Sequence, residues 1–160
     1  MEPMSEHVTL TVTSLEDLWK LQGELNARCG MDTVKMGKWI NSPPDGSAMS
    51  AAKHAGVMLH QYLNALRSET QELEDCLAWK HWYKEARDGN QFILKDLQNA
   101  RVEVIDLLFF WMSLTQILGL TPSDVYRLYA KKLGINHKRQ DEDRSQADHG
   151  DHEDENREVV

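Results

Sequence analysis

Apolar positions recur at helical spacing through most of this chain. Ser14 fits a helix N-cap, and Leu15, Leu18, Leu21 and Leu25 follow it, with Gln22 on the same stripe and Glu16 and Asp17 in the first turn. This pattern predicts a first helix ending at Cys29-Gly30. The stretch from there through Asn41-Ser42-Pro43-Pro44-Asp45-Gly46 concentrates breakers and turn formers, and it is read as a loop that could act as a lid. From about Ser50 to Cys76 there is no proline and one glycine, and Ala55, Val57, Leu59, Leu63, Leu66 and Leu73 predict a long second helix. The aromatic cluster Trp79, Trp82 and Tyr83 follows, and Arg87-Asp88-Gly89-Asn90 breaks the pattern. A third helix is predicted from near Leu94 to Gly119. Val102, Val104, Ile105, Leu107, Leu108, Phe109, Phe110, Met112 and Leu114 make it apolar around so much of its circumference that it is expected to be the central, buried element. Thr121-Pro122-Ser123-Asp124 opens a fourth helix to about Leu133, with proline at the first helical position. The residues before Ser14 read as an arm or short extended segment. Strand-like alternation and internal repeats are absent from the core of the chain, so the expected fold class is all-α, a bundle of about four to five helices.

Length and charge sharpen this picture. With 160 residues, 41% of them hydrophobic, there is room for one domain, assigned to residues 1–140. The net charge of -8 is concentrated at one end. Residues 141–160 hold nine acidic and two basic side chains, a net of -7, which leaves about -1 on the rest. So acidic and apolar-poor a tail cannot repay its ordering entropy, and disorder is expected there unless a partner binds it. A nearly neutral body lacks the basic face that nucleic-acid binding needs, but it can hold a triphosphate through local cations and a divalent metal. Cys29 and Cys76 are isolated and read as reduced thiols. The apolar run around Leu107–Trp111 is far shorter than the roughly 20 residues that cross a bilayer, so a cytoplasmic protein without membrane partners is expected.

The candidate chemistry lies in four carboxylates. Glu103 and Asp106 sit three apart, on one face of the most apolar helix, flanked by Val102, Val104, Ile105 and Leu107. A buried unpaired carboxylate costs several kcal/mol, so two together require cations. Glu69 and Glu72 repeat the spacing on the long helix, and antiparallel packing of the two helices would converge all four. Such an oxygen-rich pocket suits magnesium, with manganese as the alternative. The competing readings are a solvated ExxE face and ion pairing to Arg67, Lys95 or Arg101.

Glu69-Thr-Gln-Glu72-Leu-Glu-Asp75-Cys-Leu-Ala-Trp79-Lys80-His81-Trp82 and Asn99-Ala-Arg101-Val-Glu103-Val-Ile-Asp106 resemble the two central motifs of the dimeric, all-α deoxyuridine triphosphatases (dUTPases), members of the all-α NTP pyrophosphohydrolase superfamily. Leu21-Gln22-Gly-Glu-Leu25-Asn26 resembles that family's first motif, and Tyr129-Ala-Lys131-Lys132-Leu-Gly-Ile-Asn136-His-Lys-Arg139-Gln140 resembles its last, so the likeness spans roughly residues 15–140. The resemblance implies magnesium-dependent hydrolysis of a deoxynucleoside triphosphate, dUTP first, to monophosphate and pyrophosphate by a homodimer. It implies Glu69, Glu72, Glu103 and Asp106 as metal ligands, with Glu69 or Glu72 also activating the attacking water. Lys80, Tyr129, Lys131, Lys132, Asn136 and Arg139 are implied for the phosphates, and Gln22, Asn26, Trp79 and Phe110 for the base. Core packing is the alternative role for the two aromatics, and an ordinary surface position for each of the phosphate candidates.

This chain departs from the family in reading Asp106-Leu-Leu-Phe109-Phe110 where Asp-x-x-His-Phe is usual. It also has Leu133 in place of an asparagine, and Asp143-Arg144 where glycine-tyrosine is expected. Two further readings follow: the same chemistry on dCTP, a purine or a modified deoxynucleotide, or a non-catalytic helical module that binds a protein.

Overall fold

The computed structural model describes residues 14–141, 154–157 and 159–160, so the arm expected before Ser14 and most of the acidic tail lie outside the described residues. Five helices follow in order: α1 (Leu15–Arg28), α2 (Thr33–Asn41), α3 (Ala48–Asp75), α4 (Leu97–Ile117) and α5 (Pro122–Asp141). The all-α bundle expected from the sequence is what forms. Strand pairing among the described residues is one isolated bridge, Leu77 with Leu94, which closes the segment between α3 and α4 around a π-helical turn at Ala86–Asn90. No single helix among the described residues is long and apolar enough to cross a membrane.

Local chemistry accounts for the helix starts. Ser14 and Asp17 form a reciprocal capping box on α1, and the Asp32 and Asp96 carboxylates accept from the Lys35 and Asn99 amides to start α2 and α4. Thr121 and Asp124 make a second box ahead of Pro122: the Asp124 amide donates to Thr121 Oγ1 (3.2 Å), and the Thr121 amide and hydroxyl donate to Asp124 Oδ2 (3.0 and 2.7 Å). Those bonds from Thr121, with Arg127 beside it, hold the Asp124 carboxyl down from 3.8 to about 2. A folded-state value below the unfolded one stabilises α5 above about pH 4 and is lost as pH falls toward 2. Replacing Thr121 by Ala should therefore weaken α5 more at pH 6 than at pH 2, by circular dichroism, because the bond from the Asp124 amide to Thr121 Oγ1 is lost at both values and only the carboxylate's share titrates away. Equal helix loss at both pH values would contradict this assignment.

Three expectations need correction. Residues 33–41 are a helix, not a loop: Asp32 caps it, and Thr33, Met36 and Gly37 are buried between α3 and α4. The Pro-Gly turn signal is genuine but begins only at Ser42. The helix α4 is central, contacting α1, α2 and α3, yet it is not wrapped in apolar neighbours. Val102, Val104, Ile105, Phe109 and Trp111 are 40 to 52% exposed, while Glu103, Ser113, Thr115 and Gln116 are buried. In α1, likewise, Gln22, Gly23 and Asn26 are buried and Leu15, Leu18 and Leu25 are exposed. Polar residues of α1 and α4 face inward where they bond to one another, and Met112 and Ile117 are buried beside them, while much of the apolar surface is left outside. Lastly, α5 continues past Leu133 to Asp141, and α4 starts at Leu97 rather than near Leu94.

The apolar core is correspondingly small. Met36, Ala51, Ala55 and Ile117 form it, with Trp39, Ile40, Met58, Leu59 and Tyr62 packed against them. The two alanines let α3 approach α4 closely. Between these helices Cys76 meets Lys95 and Asn99, Tyr62 meets Phe110, and Ala51 and Ala55 share the core with Ile117. Rising numbers on one helix match falling numbers on the other, so α3 and α4 are antiparallel, the packing that the carboxylate argument requires.

Candidate metal centre

The antiparallel register brings Glu69 of α3 opposite Glu103 and Asp106 of α4, with a carboxylate oxygen from each within 4.8 Å of the other two. Glu103 is 6% exposed and accepts a hydrogen bond from Asn99 Nδ2 at 2.9 Å, while Glu69 and Asp106 are half-buried. Glu72 does not join this group. It is exposed one turn further along α3, although its charge still reaches Glu69. Loss of hydration, then repulsion from Glu72, Asp106 and Glu103, holds the Glu69 carboxyl above its ordinary value. None of Arg67, Lys95 and Arg101 pairs with these carboxylates among the described residues, and Arg67 instead donates to Asn64. Three clustered acids without a cationic side chain fit a hard divalent ion. Octahedral magnesium oxygens lie up to about 4.2 Å apart, so modest side-chain adjustment suffices.

Two turns further along α4 the character changes. Phe110 faces Tyr62, with ring centroids 6.2 Å apart, and beyond them lies a buried amide and hydroxyl cluster. Gln22 Nε2 donates to Asn26 Oδ1 (2.9 Å) and Ser113 Oγ (3.3 Å), and Asn26 Nδ2 donates to Thr33 Oγ1 (3.0 Å) and Ser113 Oγ (2.9 Å). Thr33 donates to Gln116 Oε1 at 2.5 Å, and Gln116 Nε2 to the Trp19 carbonyl at 2.6 Å. Tyr62 also bonds Ser113, and burial pushes its phenol up. Most polar atoms here are matched, but Gln22 Oε1 and Trp19 Nε1 are buried without a hydrogen-bond partner, and the first of them is an acceptor. An orphaned acceptor in a cluster this well satisfied is a place where a ligand N–H fits.

The sequence reading named Gln22 and Asn26 but missed Thr33, Tyr62, Ser113 and Gln116. A signal existed for one of them. Glu103, Asp106, Phe110 and Ser113 form a single helical stripe, and Ser113 interrupts the apolar run as the two acids do.

The remaining candidates lie elsewhere. Trp79 and Lys80 belong to the segment after α3, at the opposite end of the acidic group from Gln22. Trp79 Nε1 donates to Asp75 Oδ1 (2.9 Å), and Lys80 Nζ lies 3.3 Å from the same oxygen and 5.4 Å from the Trp79 ring centre. They line a cleft of about 350 Å3 together with Tyr83 and Lys95. Trp79 and the amide cluster therefore cannot wall the same base within one chain. Tyr129, Lys131, Lys132, Asn136 and Arg139 are on α5, which packs chiefly on α1 and turns 101° away from α4. This chain alone does not bring them beside the carboxylates. Phe109 is 43% exposed. Comparison with family models, curated proteins and solved structures finds no match to this chain.

Proposed function

We propose that the protein is a magnesium-dependent nucleoside triphosphate pyrophosphohydrolase of the dUTPase type, carried by the convergence of Glu69, Glu103 and Asp106 within 4.8 Å. Glu69, Glu103 and Asp106 would hold magnesium, with Glu72 at the rim, and the ion would supply positive charge against that developing on a polyphosphate during cleavage. The chain's own residues do the rest. Glu69 or Glu72 takes the proton of the attacking water. Asn99 fixes the Glu103 carboxylate, and Lys80 can leave Asp75 for a phosphate because that pair is exposed and screened by solvent. Attack at the α-phosphate releases pyrophosphate and leaves the monophosphate. The unsatisfied Gln22 Oε1, two to three turns from the acids, supports reading the amide cluster as the base site, since uracil N3–H is a donor.

The homodimer in this reading rests on the uncovered apolar faces, Leu15, Leu18 and Leu25 on α1 and Val102, Ile105, Phe109 and Trp111 on α4. A second copy would bury both and could bring its own α5 to the carboxylates. The replacement of a polar residue by Phe109 keeps open a different deoxynucleotide as substrate.

The decisive measurement is pyrophosphate release from a panel of deoxynucleoside triphosphates with magnesium, on a sample whose mass is determined by light scattering. Preference for dUTP with a mass of two chains is the expected result. Comparable turnover of all bases would remove the uracil assignment, and no pyrophosphate from any of them would leave the non-catalytic module. A mass of one chain would remove the dimer.

A further inference from the structure

The acidic end of the chain is not free of the body. Residues 154–157 are helical, where the composition led us to expect disorder, and they lie against α5. Arg139 Nε donates to Glu155 Oε2 at 2.8 Å, and these two side chains are only 15 and 18% exposed. Lys132 donates to Asn156 Oδ1, and Lys131 Nζ to the Val159 carbonyl at 3.2 Å, with Val159 itself buried. The contact follows the helix. Leu128, Lys132, Ile135 and Arg139 form one stripe of α5, and all four are half-buried on a helix that otherwise shows mostly exposed positions.

Three cations are therefore engaged by an anionic carboxylate and two neutral carbonyl oxygens, the kind of oxygen set that a polyphosphate presents. We propose that the C-terminal segment is an intramolecular strap that occupies the cations of α5 in place of a polyphosphate and must be displaced before one binds. The proposal rests on the reading that Lys131, Lys132 and Arg139 hold phosphates. Physical chemistry favours competition over co-binding. The tethered strap is present at an effective concentration on the order of millimolar, so a polyphosphate must compete with it for the same cations. A strap closed most of the time lowers apparent affinity by the fraction of open molecules.

The test uses the full chain and inorganic tripolyphosphate with magnesium, titrated calorimetrically, so that no turnover is needed. Glu155→Gln removes the charged contact, and Asp45→Asn, in the loop between α2 and α3, makes the same change in net charge elsewhere. The expected result is a dissociation constant lowered about fivefold by Glu155→Gln and unaltered by Asp45→Asn. Equal affinities of wild type and Glu155→Gln, including no binding by either, overturn the strap, as does equal tightening by both substitutions. The triphosphate panel reports separately: tightened binding without any pyrophosphate release would keep the strap and remove the enzyme, while pyrophosphate release with equal affinities would do the reverse.

Discussion

Replacing Glu103 by Gln is expected to make the metal-free protein more stable while removing the proposed magnesium-dependent activity. Glu103 is the most buried member of the acidic group, its carboxylate oxygen lies within 4.8 Å of those of two other acids, and no lysine or arginine among the described residues forms an ion pair with the three. A neutral amide of the same shape keeps an oxygen for the Asn99 bond and relieves the repulsion. At the effective dielectric of a partly buried site that relief is roughly 1–2 kcal/mol. It corresponds to a rise of about 2–8 °C in thermal midpoint for a chain of this size. Turnover should fall about 100-fold or more, because charge supplied to the transition state is lost together with the ion's affinity. Adding magnesium should raise the midpoint of the wild type and not that of the variant. A variant with near-normal turnover would show that the pocket is misassigned. A variant less stable than wild type without metal would show that the carboxylates are not in conflict.

The largest loss of stability is expected from Gly37→Ala. A Cβ at this position of α2 would stand 2.0 Å from the Gln116 carbonyl oxygen and 2.8 Å from Gly119 Cα. Both are backbone atoms at the end of α4, so no side chain can swing aside, and the two helices must separate. Their separation would disturb Thr33 and Met36, which anchor α2 to the amide cluster and the apolar core. A cost of about 3 kcal/mol or more is expected, seen as a midpoint lowered by roughly 6–12 °C. Gly56→Ala provides the contrast: its Cβ meets nothing within 4 Å in the middle of α3, and alanine there should stabilise by about 0.5–1 kcal/mol. If Gly37→Ala melted within a degree or two of wild type, the tight α2–α4 crossing would be wrong.

How much of this was legible beforehand differs by element. The second and third predicted helices, now α3 and α4, and the two acidic pairs could be read from spacing alone, because a carboxylate that interrupts an apolar helix stands out against its neighbours. The helix α2 could not be read that way. It is short, it carries Gly37, and it sits beside a proline-rich turn, so local propensity pointed to a loop. Only packing against α4, where the absence of a side chain at Gly37 is an advantage, makes it a helix. Thr33 and Gln116 were also out of reach, since each looks like an ordinary polar position until α1, α2 and α4 are assembled.

By itself the sequence determined the helical class, the caps at Ser14 and Thr121, the acidic bias of the tail and the identity of the carboxylates, all of which depend on residues a few positions apart. Only the tertiary structure decided which face of each helix turned inward. On α1, and on part of α4, it was the polar face, because amides and hydroxyls from three helices could satisfy one another there. The tertiary structure also set Glu72 apart from the other three acids and laid the C-terminal segment on α5. Those outcomes depend on the register between helices, a relation between distant residues that no local spacing encodes.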